Sequence, residues 1–245
     1  MSEAALHDPP AVPWTLDWFS ARVNRENGHY AEALISLNRL VETQYQEARD
    51  REFDFSRDVR LLNELGIAFE IERFELGSKA MRSPEFTAIN PNGRVPVLED
   101  GDVRITESTA IAQYLVARYG NGRFAPDVFS PEFPVYLQWL HYGEGMIMPP
   151  INNYVVETIL LPPERRSEEH ANRALRLLGR LLQAVDANLA DREYLAGDFS
   201  AADTITGHAC YISDHFKVDI SEMPNLIAYI EQLKARPAFQ KALAL

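Results

Sequence analysis

At 245 residues the chain is long enough for one large domain or two small ones, and 46% apolar with 24% charged residues is the make-up of a globular protein rather than a disordered one. An excess of 36 Asp and Glu over 24 Lys and Arg gives a formal charge of −12, which repels phosphate backbones and argues against nucleic acid as a partner. No apolar run reaches the roughly 18 residues that cross a bilayer, the start lacks the pattern of a secretory leader, and the single cysteine fits a reducing compartment, so a cytoplasmic protein without membrane contact is expected.

Residues 1–28 hold a Pro-rich start, the cluster from Trp14 to Phe19 and the breaker NRENG, and little regular structure is expected before His29. From Tyr30 to Ala48, the apolar residues Leu34, Leu37, Val41, Tyr45 and Ala48 recur at helical spacing and predict one amphipathic helix. Ser56 to Leu65 reads as a short helix stopped by Gly66, followed by the strand alternation of Ile67, Phe69 and Ile71. Ser83-Pro84 opens another brief helix. VPVLE and DVRIT then read as a hairpin, its turn at Asp100 and Gly101 needing positive φ twice. A helix from about Glu107 to Gly120 leads into NGRFAPDVFSP, residues 121–131, the best linker in the chain, beyond which every segment reads helical. The expected divisions are an N-terminal extension over 1–52, a mixed α and β domain over 53–123 and an all-helical domain over 131–245.

The stretch NPNGRVPVLEDGDVRITES concentrates the chemistry. Val95 precedes a proline, which pushes it toward an extended conformation, and a cis Val95–Pro96 bond would turn its amide and carbonyl outward as a template for an added strand. Ser108 lies at a helix start, where free N–H groups favour a carboxylate, and Glu107 beside it supplies the sign for an ammonium group. Together they describe a pocket for a zwitterionic amino-acid head next to an edge for peptide backbone, hence a small γ-linked peptide. Singly, Val-Pro also serves as a strand-edge device and Ser as a plain cap. Elsewhere, Cys210 lies in an apolar helical run and reads as a buried structural thiol. His208, Cys210 and His215 lack i, i+4 ligand spacing, so no metal site is expected.

NPNGRVPVLEDG followed by ITESTAIAQYL resembles the glutathione-site signature of the soluble glutathione transferases, and YLAGDFSAADTITGHA resembles their C-terminal capping motif. The resemblance implies an α+β/α fold, a thioredoxin-like domain followed by an all-helical one, usually paired as a homodimer. It implies glutathione as co-substrate, no metal, a small hydrophobic electrophile as second substrate, and a role in detoxification. Val95 would pair with the cysteinyl part of glutathione, Pro96 would be the cis proline presenting it, and Glu107 and Ser108 would hold the γ-glutamyl head. Ser200 and Asp203 match the family's helix cap, with Phe199 as its staple.

Upstream the chain departs from the family pattern of a buried strand, a loop with a thiolate-stabilising Tyr, Ser or Cys, and a first helix. SRDVRLLNELG resembles that helix, but EARDREFDF is a poor buried strand. Either EFDF is a minimal strand, or the WTLDWF run is recruited from far upstream, or the strand is absent. Ser56 is the nearest hydroxyl to the expected place and the candidate catalytic residue; a plain N-cap is its other reading. A chain lacking the strand and the activating loop would be a binding scaffold for glutathione or a protein, with little catalysis. The helix carrying Tyr136, Trp139, Tyr142 and Met146 resembles the family's wall for the second substrate, with Tyr142 and Met146 as pocket residues, although such stripes more often form core. Gly143 and Gly145 leave room there for a ligand or a bend.

Overall fold

The computed structural model describes residues 14–23, 36–42, 53–54, 57–75, 79–216 and 218–244, with the main chain alone for the first three stretches, 73–75 and 79. A sheet with helices on it is followed by a helical half. The strands are β1 (Trp14–Val23), β2 (Ser36–Glu42), β3 (Phe53–Asp54), β4 (Glu70–Glu75), β5 (Val97–Asp100) and β6 (Val103–Thr106). The first half adds α1 (Arg57–Leu65), α2 (Pro84–Ile89) and α3 (Ser108–Tyr119). The second half contains α4 (Glu132–Tyr142), α5 (Met148–Val155), α6 (Glu168–Asn188), α7 (Ala201–Ser213), α8 (Pro224–Lys234) and α9 (Pro237–Leu243).

Two sequence expectations fail upstream. Trp14–Val23, read as irregular, is the longest described strand and the centre of the sheet. Its period-two alternation of Trp14, Leu16 and Trp18 with Thr15 and Asp17 was the signal for it. Ser36–Glu42, read as part of a helix from Tyr30 to Ala48, is a strand paired antiparallel with β1 from Trp14↔Glu42 to Ser20↔Ser36. Pairing with a distant strand overrides the helical spacing of Leu37 and Val41, as strand formation commonly does. The remainder of that expected helix lies outside the described residues.

The three possibilities for the first strand resolve into a combination of two. Phe53–Asp54 forms a minimal strand against Arg39 and Leu40, and WTLDWF provides the central strand. Residues Asp17 to Ser20 pair with both β2 and β4, so these lie on opposite edges of β1, and β5 continues along the β2 edge from Ala21 to Val23. β1 is antiparallel to β4 and parallel to β5. A strand, helix and strand joined by a crossover run parallel, so β1 is not the first arm of the unit that continues through α1 to β4.

Local signals are obeyed downstream. α1 ends in a Schellman arrangement: the Gly66 N–H bonds the Asn63 carbonyl at 3.2 Å, the Ile67 N–H bonds the Leu62 carbonyl at 3.0 Å, and Gly66 has φ +73°. Ile67 is spent on this motif, so the strand expected from it starts only at Glu70. Ser83 caps α2 by accepting from the Phe86 N–H at 3.1 Å. In the hairpin, Asp100 pairs with Val103 across Gly101 and Asp102. Of these only Gly101 has positive φ, so the turn needs it once, as in type II′, and not twice.

A single core cluster runs through both halves, from Leu61, Leu62, Leu98, Ile111 and Leu115 to Trp139, Leu140, Ile205 and Leu226. Polar contacts reinforce the join. Glu64 on α1 takes Nε and Nη2 of Arg236 at 2.7 and 2.9 Å, and the Arg60 guanidinium lies 3.4 Å from the Phe239 ring centroid. The linker takes part too, since the Phe124 carbonyl accepts from the Ala201 N–H at the start of α7 at 2.8 Å.

Candidate functional site

The hairpin's last pair, Val97 with Thr106, brings the Val95–Pro96 bond and the Glu107–Ser108 step to one end of the sheet. That Val95–Pro96 bond is cis. The ladder begins at Val97, and among the described residues the main chain of half-buried Val95 makes no hydrogen bond. The loop before it is fixed from below by buried Asn90, which donates from Nδ2 to the Arg94 carbonyl at 2.5 Å and accepts from the Asn92 N–H at 3.0 Å. Gly93 is required there: its φ is +60°, and a Cβ would lie 2.9 Å from the Met81 carbonyl oxygen. An edge of backbone held rigid with its donor and acceptor unspent is a template for an extended peptide.

Glu107 is the N-cap of α3 with φ +71°, a costly conformation for a residue with a Cβ, and its side chain makes no capping bond. The first bond of the helix runs from the Ile111 N–H to the Glu107 carbonyl at 2.9 Å, which leaves the preceding N–H groups at the tip without intrahelical partners. Glu107 is exposed, and its carboxylate, which attracts a cation, stands beside a helix end that attracts an anion. Ser108 is the first helical residue, not the cap, and it is buried.

The Ser108 hydroxyl joins a network that sequence reasoning missed. It accepts from Arg57 Nε at 2.9 Å and donates to Asp58 Oδ2 at 3.2 Å. Arg57 Nη1 reaches Glu144 of the helical half at 3.0 Å, a charge contact without the alignment of a hydrogen bond. Arg57 and Asp58 are both buried, and burial pushes the Asp58 carboxyl up to about 6, with the Arg57 charge opposing and the Glu144 charge reinforcing the shift. Charged residues in the first turn of a helix read as a solvated face; nothing local announces that α3 and the helical half will cover them.

The other expected site residues are scattered. Ser56, the candidate catalytic residue, lies outside the described residues. Tyr142 is half-buried, its ring 4.8 Å from that of Trp139 and its hydroxyl donating to the Leu181 carbonyl at 3.3 Å, while Met146 is 46% exposed. Tyr136 and Trp139 belong to the core. The room at Gly143 is filled by α7: its N–H donates to Thr206 Oγ1 at 2.7 Å, and a Cβ would lie 2.9 Å from Thr206 Cα. Gly145 faces open space. A groove of about 690 Å³ runs between the linker and the loop before α7, walled by Phe124, Pro126, Phe199 and Arg236, with neither Tyr142 nor Met146 in it.

The α7 cap is built from Ser200 and Asp203. Asp203 Oδ2 accepts from the Ser200 N–H at 2.8 Å, while Oδ1 accepts from the Leu195 N–H at 3.0 Å and the Tyr229 hydroxyl at 2.8 Å. Burial nevertheless raises the Asp203 carboxyl, these bonds offsetting part of the effect. Phe199 packs edge-on against Tyr194 and Phe124, at 5.3 and 6.0 Å between centroids. Cys210 is buried, and burial pushes its thiol far above the usual range, so it is no nucleophile at neutral pH.

Two family models match the chain: the N-terminal domain of glutathione S-transferase over residues 53–117 and its C-terminal domain over 147–237. Glutathione S-transferase 4 of Zea mays is 32% identical over 196 residues, 76% of this chain and 85% of that protein. Glutathione S-transferase GstB of Escherichia coli K12 is 31% identical over 163 residues, 64% of this chain and 76% of that protein. Among solved structures, the theta class enzyme of Xanthomonas axonopodis pv. citri with glutathione bound superposes with a TM-score of 0.66 at 27% identity, covering 78% of this chain and 91% of that one. With a thioredoxin-like domain followed by a helical domain, this chain belongs to the glutathione S-transferase family.

Proposed function

We propose that the protein binds glutathione and joins its sulfur to a small hydrophobic electrophile. The observation that carries this reading is the meeting, at one end of the β5–β6 hairpin, of the unspent Val95 main chain and the uncapped tip of α3. The cysteinyl N–H and C=O of glutathione would pair with Val95, presented by Pro96. The γ-glutamyl carboxylate would meet the α3 N–H groups and Ser108, and its ammonium the Glu107 carboxylate. The sulfur would attack as thiolate, forming a bond to the electrophile as its leaving group departs; Ser56 is the candidate donor holding that thiolate, and Tyr142 and Met146 are candidates for the acceptor's wall. By family likeness the working form is a cytoplasmic homodimer with a detoxifying role, divided at 53–123 and 131–245. Calorimetric titration with glutathione, paired with a chlorodinitrobenzene conjugation assay, tests the proposal. Saturable binding with turnover is expected, and Ser56→Ala should lower turnover on the order of 100-fold. Absence of heat at millimolar glutathione would refute it.

A second reading is favoured by one observation: β1 is antiparallel to β4, so the central strand is not the one that leads into α1. On that reading the protein is a glutathione-binding or protein-binding scaffold. Binding without turnover, unchanged in Ser56→Ala, would select it.

A further inference from the structure

The start of α1 places a titratable group in direct contact with the hydroxyl at the tip of α3. We propose that Asp58 is a positioning residue for glutathione: ionised, it holds the Ser108 hydroxyl hydrogen, and protonated, it releases that hydrogen to the γ-glutamyl carboxylate. The proposal rests on the reading of the α3 tip given above.

A serine hydroxyl has one hydrogen and two lone pairs. Arg57 Nε, a permanent donor, takes one lone pair of Ser108 at 2.9 Å. Asp58 Oδ2 lies 3.2 Å away on another side, and an ionised carboxylate is acceptor-only, so the hydrogen points to it. Nothing then remains to donate to a ligand. When Asp58 takes a proton from solvent, its own O–H donates to Ser108, both serine lone pairs are filled from the protein, and the serine hydrogen is free for an incoming carboxylate. The pocket makes that protonation accessible. Asp58 is 2% exposed, and its Oδ1 has no partner among the described residues. Burial lifts its carboxyl into the range around 6, and Glu144 pushes in the same direction while Arg57 opposes.

Two further charged or titratable groups pack about α1. His208 on α7 is kept neutral by burial and by the Arg60 and Arg57 charges. Arg236, preceding α9, is matched by Glu64 at the far end of α1.

The test is calorimetric titration of S-methylglutathione between pH 5 and 7.5, a ligand whose blocked sulfur removes the thiol's own ionisation. Wild-type affinity should fall about tenfold across the range, the worth of one hydrogen bond to a charged group. Asp58→Asn and Ser108→Ala should both bind with affinity independent of pH. A flat wild-type profile, or a slope that survives in either variant, overturns the role of Asp58 while leaving glutathione binding intact. Failure of the wild type to bind at any pH is a different result, which removes the glutathione reading and this inference with it.

Discussion

At Asp58 the fold buries a carboxylate with an imperfect set of partners, and stability must register it. Its folded value, about 6, lies above the ordinary 3.8, so the native state prefers the protonated form. The contribution is therefore fully present below about pH 3.8 and is lost as pH rises through about 6. The shift corresponds to roughly 3 kcal/mol. Urea midpoints of wild type and Asp58→Asn, compared at pH 4 and pH 8, should show the variant gaining by an amount of that order at the higher pH. A gap that does not change with pH would contradict the burial of this group. Gly143 makes a second test at this scale. Its hydrogen faces Thr206 Cα, so Gly143→Ala must push α4 from α7 and should cost about 1–3 kcal/mol in a denaturation experiment. In the sequence that glycine read as room for a ligand or a bend, because which neighbour will approach is not written in the adjacent residues.

Among the elements, those whose determinants are contiguous were legible. Gly66 stops α1, Ser83-Pro84 starts α2, the β5–β6 hairpin turns at Gly101, and Ser200 with Asp203 starts α7, each by a bond between residues close in the chain. β2 was not legible, because its hydrogen bonds are made with partners far along the chain and the spacing of Leu37 and Val41 satisfies a helix equally well, whereas β1 carried a period-two signal without local partners to mark it as central. The candidate site divides the same way. Val95, Pro96, Glu107 and Ser108 stood out because they share one hairpin, whereas Arg57, Asp58 and Glu144 join it only through tertiary packing. The α7 cap allows a graded test. Ser200→Ala should cost about 1–2 kcal/mol, the usual worth of a cap. Asp203→Ala should cost more, about 3 kcal/mol or above, because it orphans the buried Tyr229 hydroxyl and Leu195 N–H together. Equal losses in the two variants would show that the bonds beyond the cap are immaterial.

For the whole molecule, the continuous core and the contacts of α1 with the helical half make the two parts one cooperative body. Arg236→Ala removes the paired bonds to Glu64 and the guanidinium packed 3.5 Å over Phe199, in a setting where the Arg and Glu side chains are 26% and 13% exposed. It should lower stability by about 1–2 kcal/mol while leaving a single unfolding transition; two separated transitions in calorimetry would contradict a shared core. The same join sets the helical half over the first turn of α1, where Glu144 meets Arg57, next to the proposed ligand site. The most direct test of the central claim is amide hydrogen exchange with and without saturating glutathione. Slowed exchange at Val95 and at the first amides of α3, Ser108 and Thr109, is the predicted result. Saturable binding that leaves those amides unprotected would contradict it.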